Sequence, residues 1–256
     1  MRKPGSTFKV ILVVILTLVL CSCGMNREFA QEQISNIPTE QVQAAQTIAA
    51  PDSLGASNPQ IPLKPEEAKR LLEEGNDRYF HGISLINDTS PKRRKELSAG
   101  QNPFAVIVSC SDSRVIPEEI FDQGLGDLFV IRVAGNVVSA LELGSIEYAA
   151  EHLKVPLILV LGHEQCGAVT AAVEGADLPG NLKAIAEKIK PAVAELDPFL
   201  SKEEAINQCA ELNVRKTLEE ISQSSVIQHS LGENLKLYGG IYELSTGKVR
   251  WLDNID

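Results

Sequence analysis

Two short segments carry the side chains with the most chemistry in them: Cys110-Ser-Asp-Ser-Arg114 and His163-Glu-Gln-Cys166. Together they offer two thiols, an imidazole and a carboxylate, the kinds of group that fill a tetrahedral Zn²⁺ shell. The carboxylate of Asp112 is the displaceable member. With Asp112 on the metal the shell is closed. Drawn off by Arg114, whose planar, permanently charged guanidinium grips carboxylates in a fork, it leaves the fourth position open. A water bound there has its pKa brought to about 7, so hydroxide exists at neutral pH. Structural zinc sites are typically closed by Cys and His alone, so the Asp–Arg combination points to a catalytic zinc. A Cys110–Cys166 disulfide is the rival reading, and it leaves Asp112 and His163 at these spacings without a purpose. A thiol enzyme with Cys110 as nucleophile is a weaker one.

The flanking sequence shows how such groups are brought together. Phe104–Ser109, Leu128–Val133 and Leu157–Leu161 are apolar runs, apart from Ser109 and Arg132 near their ends, as expected of strands buried on both faces. A helical pattern over Leu143–Leu153, with Ile146, Ala149, Ala150 and Leu153 inward, joins the last two and implies a right-handed parallel crossover. Helical periods also cover Pro65–Phe80, Pro91–Ser98, Leu182–Val193 and Lys202–Ser222. Gly240–Leu244 and Val249–Leu252 around Thr246-Gly247 read as a hairpin at the sheet edge. The predicted fold class is therefore α/β: a four-stranded parallel sheet plus an antiparallel edge strand, helices on both faces and an N-terminal helical arm. Sites in open parallel sheets form outside the carboxyl ends of the strands, where Cys110 and His163 both fall. An extended loop would put Cys110, Asp112 and Arg114 on one side, with Ser111 and Ser113 facing away. His163 and Cys166 suit a turn entering a helix.

The chain has three segments. Residues 1–23 begin with Arg2, Lys3 and Lys9, continue with an apolar stretch from Val10 to Leu20 and end in Cys-Ser-Cys, which describes an export signal. The stretch is short for a bilayer span. Leu20-Cys21-Ser22-Cys23 resembles a bacterial lipobox, with Cys23 the acylated residue, so the mature protein is expected on the periplasmic or cell-surface side, tethered to a membrane by its lipid. Simple secretion and an uncleaved anchor are the alternatives. Residues 24–63 are rich in Gln, Ala, Pro, Ser and Asn and read as a flexible linker. Residues 64–256 are enough for one well-buried domain. The net charge of −10, with only the short Lys92–Lys95 basic run, argues against a nucleic-acid partner. Cys209 sits in a helical pattern as a small buried hydrophobe.

Cys-Ser-Asp-Ser-Arg followed by His-x-x-Cys-Gly resembles the β-class carbonic anhydrases. The similarity runs from about Pro65 to Asp256, taking in Asn76 and Phe80, Arg-Val-Ala-Gly-Asn at 132–136, Ser-Ile-Glu-Tyr at 145–148 and the closing Tyr-x-Leu-x-Thr-Gly. The resemblance implies reversible hydration of CO₂ to bicarbonate and a proton by zinc-bound hydroxide, with one Zn²⁺ per chain. It implies Cys110, His163 and Cys166 as ligands, Asp112 as fourth ligand or hydroxide acceptor, and Arg114 as its partner. Gln101 matches the glutamine that hydrogen-bonds substrate in the plant-like branch, and Phe129, Ala134 and Tyr148 match that branch's apolar pocket. A homodimer or higher homo-oligomer is implied as well. Two departures stand out: Glu164 where Ser is commoner, and Gly167-Ala168 for Gly-Gly. Glu164 is expected to point to solvent; facing the metal, it would raise the pKa of a bound water. A related hydrolase of carbonyl sulfide or carbon disulfide, or a silent zinc- or bicarbonate-binding relative, shares the same shell.

Overall fold

The computed structural model describes residues 63–85, 88–232 and 234–253. The segment expected to direct export, Cys23 and all of the expected linker but Leu63 lie outside the described residues. No described helix is long and apolar enough to cross a membrane.

Helix α1 (Pro65–Phe80) opens with Pro at its first position, where the missing N–H costs nothing, and the Glu67 carboxylate accepts from the Lys64 amide at 2.9 Å. Helix α2 (Pro91–Leu97) follows, capped by Ser90. Strand β1 (Ala105–Ser109), the short helix α3 (Pro117–Ile120), strand β2 (Leu128–Arg132) and a 3₁₀ turn (Ala134–Asn136) come next. Helix α4 (Ala140–Glu151) then leads to strand β3 (Leu157–His163) and helix α5 (Gly167–Val173). Helices α6 (Leu182–Val193), α7 (Lys202–Ser222) and α8 (Ser225–Ser230) precede strands β4 (Lys236–Tyr242) and β5 (Val249–Trp251).

The sheet order is β2-β1-β3-β4-β5, with the first four strands parallel and β5 antiparallel to β4. The predicted α/β architecture, antiparallel edge strand included, is the one observed. The fourth parallel strand begins four residues earlier than the sequence pattern suggests, at Lys236 rather than Gly240. Helix α4 starts at Ala140 rather than Leu143, because Ser139 and Glu142 form a capping box ahead of the apolar period. Helices α3 and α8 were not expected.

Every residue of β1 and β3 is buried. Alternation along the strands sends Val106, Val108, Ile158 and Val160 into a core with α4 to α8. It sends Ala105, Ile107, Leu157, Leu159 and Leu161 into a second core closed by α1 and α3. Asn76 of α1 fastens that second layer: its amide donates to the carbonyls of Ile120 and Gly247 and accepts from the Val249 N–H, at 3.1, 2.9 and 2.8 Å.

Helix α1 lies so close to the chain after α3 that a Cβ on Gly75 would stand 1.8 Å from the Phe121 carbonyl oxygen. In an open helix Gly→Ala gains about 1 kcal/mol of propensity, but here the obstacle is backbone, and overpacking costs about 1–3 kcal/mol. Gly75→Ala is therefore expected to lower the melting temperature, at about 2–4 °C per kcal/mol for a domain of this size. A variant melting at or above the parent temperature would refute this packing of α1.

Candidate metal centre

Parallel pairing of β1 with β3, in the register Ser109↔Leu161, ends the two strands side by side. Cys110 leaves β1 directly and His163 is the last residue of β3. Cys166 then turns the chain into α5 as its N-cap residue. Between the two, Gln165 takes φ 51°, a left-handed conformation that costs a non-glycine residue about 1–2 kcal/mol. That bend returns Cys166 toward His163. The ligand atoms of Cys110, His163 and Cys166 lie within 4.8 Å of one another, and all three residues are buried.

Three observations fit this triad to a metal. Cys110 and Cys166 are free thiols with sulfurs 3.9 Å apart. Two sulfurs bound tetrahedrally at ~2.3 Å stand about 3.8 Å apart. His163 is wholly buried, its Nδ1 is 2.8 Å from the Glu164 carbonyl oxygen, and its Nε2 has no hydrogen-bond partner. Nδ1 therefore carries the proton, and Nε2 presents its lone pair to the sulfurs. An unpaired buried nitrogen costs about 1–3 kcal/mol. A cation at the centre of the triad would satisfy it.

Asp112 stands apart from the triad. The loop after β1 is not extended as the sequence suggests: the Val115 N–H donates to the Asp112 carbonyl at 2.9 Å and closes a turn. The carboxylate then caps its own turn, Oδ1 accepting from the Arg114 amide at 3.0 Å. Arg114 completes a fork from Nε to Oδ1 at 2.9 Å and from Nη2 to Oδ2 at 2.8 Å. Oδ2 is 4.0 Å from His163 Nε2. The Arg114 guanidinium holds the Asp112 carboxyl well below the usual carboxylate range, against a smaller opposing effect of burial. Asp112 is therefore charged throughout the neutral range and directed to Arg114.

The sulfurs differ. The hydrogen-bonded contact with Cys166 lowers the Cys110 thiol against the penalty of burial, and the Gly135 amide lowers it further. Cys166 is raised by that same contact and by burial. Cys110 is therefore the more acidic of the two sulfurs.

The 3₁₀ turn supplies support that composition and spacing do not reveal. The Gly135 N–H donates to Cys110 Sγ at 3.3 Å. Its φ is 72°, and a Cβ there would meet Ile189 Cδ1 at 3.0 Å and Ala168 at 3.2 Å, so only glycine brings this amide to the sulfur. The Gly135 carbonyl accepts from buried Asn213 at 2.7 Å. Arg132 donates to the carbonyls of Cys110 and Asp112, at 3.3 and 2.7 Å, and so holds the loop that carries both. The Gly-Asn pair at 135–136, suited to left-handed backbone, is the only sequence signal for this device.

The remaining predicted residues fall in two places. Phe129 of β2 and Tyr148 of α4 approach each other with ring centroids 6.3 Å apart, and Ala134 is half buried in the 3₁₀ turn after β2. Gln101 is exposed in the loop before β1 and hydrogen-bonds to no other described residue. Glu164 neither joins the triad nor points freely to solvent: it is half buried, and its carboxylate accepts from the Leu244 N–H at 3.2 Å. With Arg114 it lines a cleft of about 850 Å³ that continues over Thr170, Lys202 and Ser245.

The sequence model of the carbonic anhydrase family matches residues 105–249. Carbonic anhydrase 2 of Mycobacterium tuberculosis is 40% identical over 200 residues, covering 75% of this chain and 94% of that protein. The carbonic anhydrase of Mycolicibacterium smegmatis is 37% identical over 194 residues, covering 72% and 92%. Among solved structures, a β-carbonic anhydrase of Aspergillus fumigatus superposes with a TM-score of 0.60 at 34% identity, covering 65% of this chain and 83% of that one. The chain belongs to the β-class carbonic anhydrase family. A tetrameric β-carbonic anhydrase from Sordaria macrospora aligns equally well, at 29% identity, covering 64% of this chain and 87% of its own. The chain is thus an enzyme of the carbonic anhydrase type, a lyase, and the β-carbonic anhydrase fold is what positions its Cys-His-Cys triad.

The unequal thiols predict an order of reactivity. With metal chelated at pH 6, alkylation mapped by mass spectrometry should label Cys110 before Cys166. Cys209, raised to about 11 by burial, should react last of the three. Restoring Zn²⁺ should protect the first two. Labelling of Cys209 ahead of Cys110 would contradict the assignment.

Proposed function

We propose that this carbonic anhydrase hydrates CO₂ reversibly to bicarbonate and a proton, with one Zn²⁺ per chain held by Cys110, His163 and Cys166. The buried, unpartnered Nε2 of His163, facing two sulfurs at tetrahedral spacing, is the observation that carries the reading. When bound, Zn²⁺ supplies a Lewis acid that lowers the pKa of a coordinated water to about 7.

The chain's own residues do the rest. Arg114 holds Asp112 off the triad, which supports an open fourth position. Asp112, acceptor-only while ionised, would accept a hydrogen bond from the attacking oxygen and so aim its lone pair at carbon. Arg114 fixes the carboxylate in the geometry for that task. Phe129, Ala134 and Tyr148 line an apolar pocket for an uncharged, linear substrate, and Gln101 donates to a substrate oxygen. The half-buried β2 strand, unpaired on one edge, supports assembly into a homodimer or a larger homo-oligomer.

The domain that does this spans residues 64–256. Residues 1–23 direct export, Cys23 carries the lipid that anchors the chain to a membrane, and residues 24–63 tether the enzyme on the periplasmic or cell-surface side. The motif Leu-Cys-Ser-Cys at 20–23 carries this second part.

Stopped-flow CO₂ hydration with metal analysis on the same sample tests the first part. The expected result is about one zinc per chain and a loss of about 100-fold or more in kcat in Asp112→Ala. Because Asp112 is already charged, the group that titrates near neutrality is the nucleophile, whose deprotonated form is active; activity should rise through pH 7–8. A flat profile from pH 6 to 9, or an Asp112→Ala variant with full activity, would remove this mechanism.

A further inference from the structure

Glu164 sits between a ligand and a turn, and all three of its polar groups are engaged. Its N–H donates to the Tyr242 carbonyl at 3.1 Å, extending the β3–β4 pairing one residue past His163. Its carbonyl oxygen stands 2.8 Å from His163 Nδ1 and orients the imidazole. Its carboxylate reaches across to the Leu244 N–H, 80 residues on, at 3.2 Å. Leu244 belongs to the turn that reverses the chain from β4 into β5. On its far side that turn is held by Asn76, through Gly247 and Val249. The peptide whose carbonyl aims His163 is therefore braced against a fixed point. Gln165, the next residue, is in left-handed backbone, which turns the chain toward Cys166.

We infer that Glu164 is a positioning residue: through its hydrogen bond to Leu244 it locks the peptide that orients the His163 imidazole for metal. This rests on His163 being a zinc ligand, as proposed above. The operative feature is an acceptor of the right length, not a negative charge. Residues that hold a ligand from behind in this way are worth about 10–100-fold in metal affinity.

Three variants of the full-length protein separate the two properties. Glu164→Ala removes acceptor and charge, Glu164→Asp keeps the charge but falls one methylene short of Leu244, and Glu164→Gln keeps the acceptor without the charge. Zinc affinity, read by competition with a chromogenic chelator, should fall about 10-fold in the Ala and Asp variants and stay near the parent value in Gln. The visible absorption bands of the cobalt-substituted protein should shift in Ala and Asp and coincide with the parent in Gln, a readout that general destabilisation would not reproduce. If the Ala variant does not fold, the Asp–Gln pair decides. The inference is overturned if all variants retain parental affinity, or if Asp behaves as the parent while Gln fails. A parent protein that binds no zinc at all would instead overturn the function proposed above.

Discussion

The register of β1 against β3 is the constraint on which the rest depends. With Ser109 opposite Leu161, the two strands end so that the next residue of one and the last ligand of the other meet at the sheet's carboxyl edge. A slip by one residue would flip every side chain of a strand to the other face, exchanging Val106 and Val108 with Ala105 and Ile107 between two differently shaped cores. The fully apolar faces of both strands make such a slip costly. The site's geometry is thus fixed by packing that contains no catalytic residue.

On that frame the polar chemistry is divided by depth. The two sulfurs and the imidazole are buried, where dielectric screening is weak and a thiolate needs the nearby amide of Gly135. Asp112 and Arg114 lie at the boundary; Arg114 is 52% exposed and Asp112 only 19%. A guanidinium at the water surface keeps its charge at little cost, and from there it holds the carboxylate away from the interior. The turn that closes on the Asp112 carbonyl sets this pairing more firmly than an extended loop could.

Much of this was legible in sequence, for physical reasons that can be named. β1 and β3 were readable because strands buried on both faces must be continuously apolar; β2, half buried at the sheet edge, was readable from its Leu-Phe-Val-Ile run alone. The ligands were readable because thiol, imidazole and carboxylate seldom share strand ends by chance. β4 was read short. It begins with Lys236 and carries Gly239-Gly240, residues that weaken a strand signal; a Cβ on Gly239 would meet Val214 Cγ1 at 2.9 Å, so α7 demands its absence. The helices α3 and α8 span too few turns for a period to show. The supports behind the ligands were invisible because they are hydrogen bonds from backbone amides and distant partners, such as Gly135 to Cys110 and Leu244 to Glu164. No spacing rule encodes them.

Asn76 joins ends of the domain that are made at very different times. Its partners Gly247 and Val249 lie 171 and 173 residues downstream. Helix α1 also packs on β1, β3 and α3, so Asn76 fastens the last hairpin to a layer that rests on earlier parts of the chain. The triad's three residues are all present by Cys166, while the turn that braces Glu164 comes from the last two strands. The Asn76 and Glu164 hydrogen bonds thus tie the ligand-bearing end of β3 to the last hairpin, so the far end of the chain helps to hold the metal centre.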